Sequence, residues 1–354
     1  MKENQGALPN SCQYFPIAVQ CSQVSVYFAV LFVFAMSAPW IAYRPEIKIL
    51  DCTVRDGGLV NGHQFDDVFV RTVYRTCVAA GVDYMEVGYK NSDKIFSRDQ
   101  YGAWKFCRED DVCRAIGEEP VAVKLSAMID AGKTDWKNDV LPREQSIFHT
   151  ILIAFYAYQV AEAVDMIADA YQKGYDVWAN IMAVSATKDA EIDQALEILA
   201  QTPASVLVVV DSYGAVYTET VKHLVEKYLR YGKEVGIHAH NNQQLAFANT
   251  IEAVIHGANC VDASIGGLGR GAGNCPMELM LGFLRNPKFK LRPVYAALDE
   301  LITPLRKELD WGPSPEYNIT GQMNRHPRDA IEVRENPDLR DRCLEFYDRI
   351  VSEG

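Results

Sequence analysis

From residue 47 onward, short continuous apolar runs alternate with longer amphipathic stretches. The runs are Ile47–Cys52, Val82–Val87, Val121–Leu125, Thr150–Ala154, Val177–Met182, Val206–Val210, Val235–Ile237 and Cys260–Ser264. They are rich in Val and Ile and lack in/out alternation, the pattern of parallel strands buried on both faces. Helical periodicity fills the intervals at Val68–Ala80, Val160–Lys173, Ala190–Ala200, Val216–Tyr231 and Gln243–His256. Gly81, Gly174, Gly232 and Gly257 stand just past four of these segments, where a helix end favours a left-handed residue. Asp130–Pro142 has no such period and reads as an irregular loop. Strand–helix units of roughly 30 residues, repeated around a closed sheet, predict an α/β fold of the parallel (β/α)8 TIM-barrel type. An open doubly wound sheet would carry G-x-G-x-x-G after its first strand, and none is present. Beyond about residue 285 the pattern changes: Pro293–Leu309 reads as helix, Trp311–Tyr317 as loop, and Pro327–Ile350 as charged helix. The expected organisation is a barrel over residues 46–288 followed by a short helical C-terminal appendage over 289–354.

Residues 1–45 break this pattern. No charged residue occurs between Glu3 and Arg44, and Val24–Tyr43 is a nearly apolar run of membrane-spanning length. It reads as a membrane anchor, as a signal sequence, or as an upstream stretch translated from a wrong start with Met36 nearer the true one. Lys2 makes a poor basic n-region, being offset by Glu3 and far from the run. The barrel pattern is complete without this segment. A cytoplasmic enzyme is expected, with membrane contact only if the extension is retained as an anchor to a cytoplasmic barrel.

Composition narrows the partners. The 354 residues carry a formal net charge of -12, which disfavours nucleic acid but leaves room for a local cationic pocket. The nine cysteines lack paired spacing, which suits a reducing compartment rather than a disulfide framework. Cys107 and Cys113 do not match zinc-site spacing, and the ordinary role of such cysteines is as small buried apolar residues.

In a barrel of this type, chemistry collects at the C-terminal ends of the strands. Polar residues stand at nearly all of them: Asp51 through Gly58 after the first, Glu86 on the second, Lys124 and Ser126 on the third, Asn180 on the fifth, Asp211 through Gly214 on the sixth, His238 through Asn242 on the seventh, and Gly266 through Asn274 after the eighth. Alternate residues of a strand point the same way about 7 Å apart, so His238 and His240 can share one metal ion. Asp56, from the first strand end, is the best placed carboxylate to join them. Two histidines and a carboxylate with open positions suit a divalent metal, Mn, Mg, Fe or Zn. A chance H-x-H pair is the ordinary alternative, and Asp56 with the glycine loop argues against it. That loop lacks the G-K-[ST] of a P-loop; its glycines serve close approach and positive φ. Asn274 at its end either offers an amide oxygen to the metal or caps the loop.

These residues resemble a known family. Asp51-Cys52-Thr53-Val54-Arg55-Asp56-Gly57 is similar to the D-x-T-L-R-D-G opening of the HMG-CoA lyase-like metallolyases, among which are 4-hydroxy-2-oxovalerate aldolase, isopropylmalate and homocitrate synthases, and pyruvate carboxyltransferase domains. Gly236 through Asn242 resembles their G-x-H-x-H-N signature. Gly266 through Asn274, with Glu278, resembles their glycine loop, and Asp211 through Gly214 their D-[ST]-x-G strand end. The matches fall in order across residues 47–285. The resemblance implies that Asp56, His238, His240 and Asn274 bind a divalent ion, Mn or Mg first, and that Arg55 stabilises an enolate oxygen. It implies that Asn180 and Ser212 contact a small oxo-acid substrate, and that Glu86 contacts substrate or orders Arg55 or the metal shell. A plain salt bridge is the bland role for Arg55.

The departures bear on the base. Aldolases of the family carry a catalytic histidine three residues after the Asp, where this chain has Leu59. The lyases place a cysteine in the glycine loop, and Gly267 through Gly273 contains none; Cys275 lies just beyond. His63, on the same loop as Asp56, is the candidate general base, with an ordinary loop histidine as its alternative. The expected activity is metal-dependent aldol cleavage or formation on a 4-hydroxy-2-oxo acid, giving pyruvate and an aldehyde. An acyl-CoA-using Claisen synthase or lyase, and a catalytically silent metal- or metabolite-binding barrel, stand as alternatives. A homo-oligomer is compatible with all three.

Overall fold

The computed structural model describes residues 44–117, 123–340 and 342–353. Its centre is a closed, all-parallel sheet in sequence order. The strands are β1 (Lys48–Asp51), β2 (Tyr84–Tyr89), β3 (Lys124–Asp130), β4 (Thr150–Tyr156), β5 (Asp176–Met182), β6 (Val206–Asp211), β7 (Glu234–Ala239) and β8 (Cys260–Ala263). β1 closes the barrel by pairing with β8 from Lys48 opposite Cys260 to Asp51 opposite Ala263. All eight expected strands are present. The third needs correction: it starts at Lys124 and ends at Asp130, whereas residues 118–122, which held the start of the expected run, lie outside the described residues. Lys124 is thus exposed at the lower rim, and Ser126 is buried below the mouth with its hydroxyl on the Met85 carbonyl at 3.3 Å. The polar Ser126 looked like a strand end, but the apolar Ala127–Ile129 stretch continues the ladder to Asp130.

Two apolar layers hold the barrel. Leu50, Leu152, Trp178, Val206, Val208 and Cys260 fill its interior, where Trp178 meets Tyr84 edge-on at 4.9 Å. A larger layer packs the outer strand faces against the helices, among them Asp67–Ala80, Val160–Gln172, Asp189–Ala200, Thr218–Leu229 and Ala246–Ile255. Fully burying one Val, Leu or Ile contributes about 1.5–3 kcal/mol, so both layers dominate the stability. The helix Asp67–Ala80 shows why its ends fall where they do: the Asp66 carboxylate accepts the Phe69 amide at 2.7 Å, and Gly81 turns left-handed at φ 77°. Between β3 and β4 the expected loop contains one short helical turn, Trp136–Asp139.

The C-terminal segment is helical, but more broken than its sequence period suggests. Leu291–Ala297 runs through a wide turn at Leu298–Ile302 into Thr303–Leu305. Pro315 starts a further helix, Pro315–Gln322, inside the stretch read as loop, since proline suits a first helical turn. The charged stretch forms two helices, Arg328–Glu335 and Cys343–Ser352. Asn336, preceding Pro337, leaves the helical region at ψ 111°, as a residue before proline does. Tyr317, Ala330, Val333, Phe346 and Ile350 pack around Ala272 of the loop after β8, tying the appendage to the barrel mouth. The described residues belong to one compact unit. The apolar run Val24–Tyr43 lies outside them; among the described residues no helix is long and apolar enough to cross a membrane.

Candidate active site

The turn that leaves β1 coils at once into Thr53–Gly57, and Asp51 holds it there by accepting the Thr53 hydroxyl at 2.5 Å. This helical turn presents Arg55 and Asp56 at the barrel mouth. Both are buried. Arg55 donates from Nε to Glu86 Oε2 and from Nη1 to Asp56 Oδ1, each at 2.6 Å. Removing one member of such a buried pair costs about 3–5 kcal/mol, because its partner is left charged and dry. Burial alone would raise the Asp56 pKa, but the cations beside it, Arg55 and Arg270, hold it below its usual value. Glu86 behaves oppositely: burial, with Asp262 and Asp56 nearby, pushes it up to about 7 despite Arg55.

β7 delivers the histidines. His238 and His240 stand with ring centroids 5.0 Å apart and nearly perpendicular. One ligand atom from each, with one from Asp56, lies within 4.8 Å of the others, and all three residues are buried. Burial pushes the His238 pKa down to about 3, and lowers His240 as well. Both rings are therefore neutral with a lone pair available. Asp262, on β8, lies 2.9 Å from His238 Nδ1; accepting a proton there leaves Nε2 unprotonated, and Nε2 is buried without a partner. Asn274 donates from Nδ2 to Asp56 Oδ2 at 2.8 Å and to the Leu268 carbonyl at 3.2 Å, which leaves its buried Oδ1 unpartnered. Two orphaned acceptors beside a carboxylate and a second neutral imidazole fit a divalent cation, since each gains a bond it otherwise lacks. The loop after β8 is stitched to the segment just past β7 by the Asn241 amide on the Gly273 carbonyl at 2.8 Å. Gly269 has no room for a side chain, because a Cβ there would strike Asp56 and Asn274.

A cavity of about 210 Å³ opens onto this cluster, with Arg55, Asp56, Asn180, Ser212, His238 and His240 in its wall. Asn180 Oδ1 is buried and unpartnered, and Ser212 Oγ accepts the Ala183 amide at 2.8 Å. Glu86 is not in the wall; the expected substrate contact becomes a contact to Arg55 from behind. Nor does His63 reach the wall. Its ring lies edge-on to Tyr89 at 5.4 Å, both its nitrogens are buried without partners, and burial with Lys105 and Arg55 nearby lowers its pKa to about 3. Leu59 lines the cavity in place of a base.

Several residues escaped the sequence reading: Asp262 behind His238 and, in the cavity wall, Lys105 and Lys133 between strands, Arg270 in the glycine loop, and His326 and Arg328 from the appendage. A lone acid inside the apolar run Cys260–Ser264 was the available signal for Asp262. The appendage residues had none.

Comparison with known proteins agrees with the geometry. The family described as HMGL-like matches residues 46–299. A 4-hydroxy-2-oxovalerate aldolase from Bacillus cereus is 30% identical over 325 residues, covering 88% of this chain and 93% of that one. Another from Pelotomaculum thermopropionicum is 30% identical over 251 residues, with 70% and 72% covered. Among solved structures, the N-terminal domain of a Bacteroides vulgatus protein described as an aldolase superposes with a TM-score of 0.70 at 26% identity, covering 81% of this chain and 96% of that one.

Proposed function

The chain belongs to the HMGL-like family and is a carbon–carbon lyase of the aldolase type, and from that premise we propose that it cleaves a 4-hydroxy-2-oxo acid to pyruvate and an aldehyde, or joins them in reverse, with a divalent ion bound. The observation that carries this reading is the buried Asp56, His238 and His240 cluster beside Arg55 in one cavity. Those three residues, with the unpartnered Oδ1 of Asn274 as a further candidate, would hold the ion; Mn²⁺ or Mg²⁺ suits the carboxylate and amide donors, and the imidazoles also admit Zn²⁺ or Fe²⁺. When bound, the ion supplies a Lewis acid for the 2-oxo group and its carboxylate.

In cleavage the C4 hydroxyl loses its proton, the C3–C4 bond breaks, and its electron pair forms the C2–C3 double bond of the pyruvate enolate. C3 then takes a proton. Arg55 is positioned for the negative charge that grows on the C2 oxygen: it is fixed by Glu86 and Asp56, so it needs no reorganisation as that charge appears. Asn180 offers an unpartnered amide oxygen to the substrate, and Ser212 orients the wall near β6. His63 is not in the cavity wall, but its ring meets Tyr89, which is, so a proton route from the hydroxyl to His63 would run by way of Tyr89.

The test is to strip the full-length protein of metal, add back Mn²⁺ or Mg²⁺, and follow pyruvate from a panel of 4-hydroxy-2-oxo acids with coupled lactate dehydrogenase. Metal-dependent pyruvate is the expected result. Tight metal binding with no pyruvate from any member would remove the aldol reading and leave acyl-CoA chemistry or a silent barrel.

A further inference from the structure

The chain as a whole is acidic, yet its active cavity is not. The wall holds Arg55, Lys105, Lys133, Arg270 and Arg328 against only Asp56 and Asp130. Two of the cations are accounted for: Arg55 by Asp56 and Glu86, and Lys133 by Asp130 at 3.6 Å. Lys105, Arg270 and Arg328 have no carboxylate in ion-pair reach among the described residues.

Lys105 is the most informative of them. It is only 7% exposed. Its ammonium lies 4.3 Å from the Phe96 ring centroid, 4.9 Å from Tyr89 and 5.3 Å from Tyr101. The three aromatic faces stabilise a cation but neutralise nothing. A buried ammonium without an anion is costly unless a ligand supplies one. Arg270 spends Nη2 on the Ser212 carbonyl and keeps its buried Nε free. Arg328 reaches the same cavity from the appendage together with His326, whose Nδ1 accepts the Arg328 amide at 3.1 Å. The neutral His326 ring therefore carries its proton on Nε2 and is one more donor. Arg270, Arg328 and Lys133 all act on His326, which places them around one part of the cavity.

A single 2-oxo carboxylate is answered by the metal site. Three further unpaired cations and a donor imidazole exceed what that carboxylate requires. Building on the aldolase reading above, we propose that Lys105, Arg270, Arg328 and His326 form a subsite for a second anion, so that the substrate is a 4-hydroxy-2-oxo acid whose aldehyde half ends in a carboxylate or phosphate. The cavity of about 210 Å³ limits that half to a few atoms.

Isosteric pairs test this. The full-length, Mn²⁺-loaded protein is assayed for pyruvate release from 4-hydroxy-2-oxopentanoate, from 4-hydroxy-2-oxoglutarate, and from the 5-phospho derivative of the former. In parallel, calorimetry compares 2-oxopentanoate with 2-oxoglutarate, which differ by a methyl against a carboxylate. One charge-assisted contact is worth about 1.5–3 kcal/mol, so kcat/KM and affinity should favour the anionic tails by about 10–100-fold. Lys105→Met and Arg328→Gln should each shrink that ratio by about tenfold; Arg328 is exposed, so its variant keeps the test valid if Lys105→Met folds poorly. Preference for the phosphate over the carboxylate tail supports the subsite and fixes its anion. A ratio near one, or a ratio both variants leave intact, overturns it. So does competition by free coenzyme A that Arg328→Gln abolishes, since the cations would then serve a CoA phosphate. If no substrate yields pyruvate, the aldol reading fails, and the calorimetric pair still decides the subsite.

Discussion

Asp262 lies 2.9 Å from Nδ1 of His238, behind the cluster of Asp56, His238 and His240. Both are buried, and the carboxylate has no other hydrogen-bonding partner among the described residues. It fixes the ring's orientation and its tautomer, and so decides which nitrogen faces Asp56 and His240. Outer partners of this kind are worth about 10–100-fold in metal affinity. Asp262→Ala is therefore expected to weaken Mn²⁺ binding by that factor while His238 remains in place. Titration of the metal-free protein with Mn²⁺, read by electron paramagnetic resonance, checks it; unchanged affinity would mean that the ring is held by packing alone.

The role proposed for Arg55 would separate binding from turnover. His238→Ala should abolish Mn²⁺ binding, whereas Arg55→Ala should keep the ion and lower kcat by about 10²–10³, the scale of losing one preorganised donor. The same change strands Asp56 and Glu86, at about 3–5 kcal/mol of stability, so its melting temperature should fall as well. Arg55→Lys, which restores a charge but not the two-pronged geometry, should recover stability more than rate. Normal turnover in Arg55→Ala would sink the enolate-stabilising role.

Burial, partly countered by Asp130 and reinforced by Lys133, lowers the Lys105 pKa to about 8. The sign follows directly. Below about 8 the side chain is an ammonium and attracts an anionic tail; as pH rises through that value the attraction fades. KM for 4-hydroxy-2-oxoglutarate should therefore climb above about pH 8, with a bound anion moving the step upward. The methyl-tailed analogue should show a smaller step, and Lys105→Met should remove the difference between the two profiles. Parallel profiles in the wild type would count against a charged Lys105 in the subsite.

His63 is buried, carries a left-handed backbone at φ 63°, and sits where a side chain at Gly58 would collide with its ring. Its pKa of about 3 makes it a weak proton acceptor at neutral pH. His63→Gln is expected to lower kcat by less than about tenfold, below the 10²–10⁴ range of a general base. A loss within that range, matched and not exceeded by the Tyr89→Phe, His63→Gln double variant, would instead establish a relay through the phenol.

The barrel was legible because buried parallel strands leave uninterrupted apolar runs, and because glycines mark the helix ends. The Asp56, His238 and His240 cluster was legible for a local reason: two residues apart on a strand means one face. What stayed hidden depends on distant chain segments meeting. Lys105 looks like any surface lysine until Tyr89, Phe96 and Tyr101 close around it. Asp130 was missed because a serine in mid-strand passed for the strand's end. His326 and Arg328 stand at the start of the stretch read as charged helix, where nothing local ties them to the barrel, and they reach the cavity as Tyr317 and Ala330 pack on Ala272.

That last contact has an evolutionary consequence. The groups proposed for bond breaking follow β1 or stand at the end of β7, whereas His326 and Arg328 hang from a helical tail that supplies no barrel strand. If those two residues select the substrate as proposed, exchange or drift of the tail would redirect the enzyme to new compounds while the barrel is inherited unchanged, and chains alike through the barrel would not share a diet.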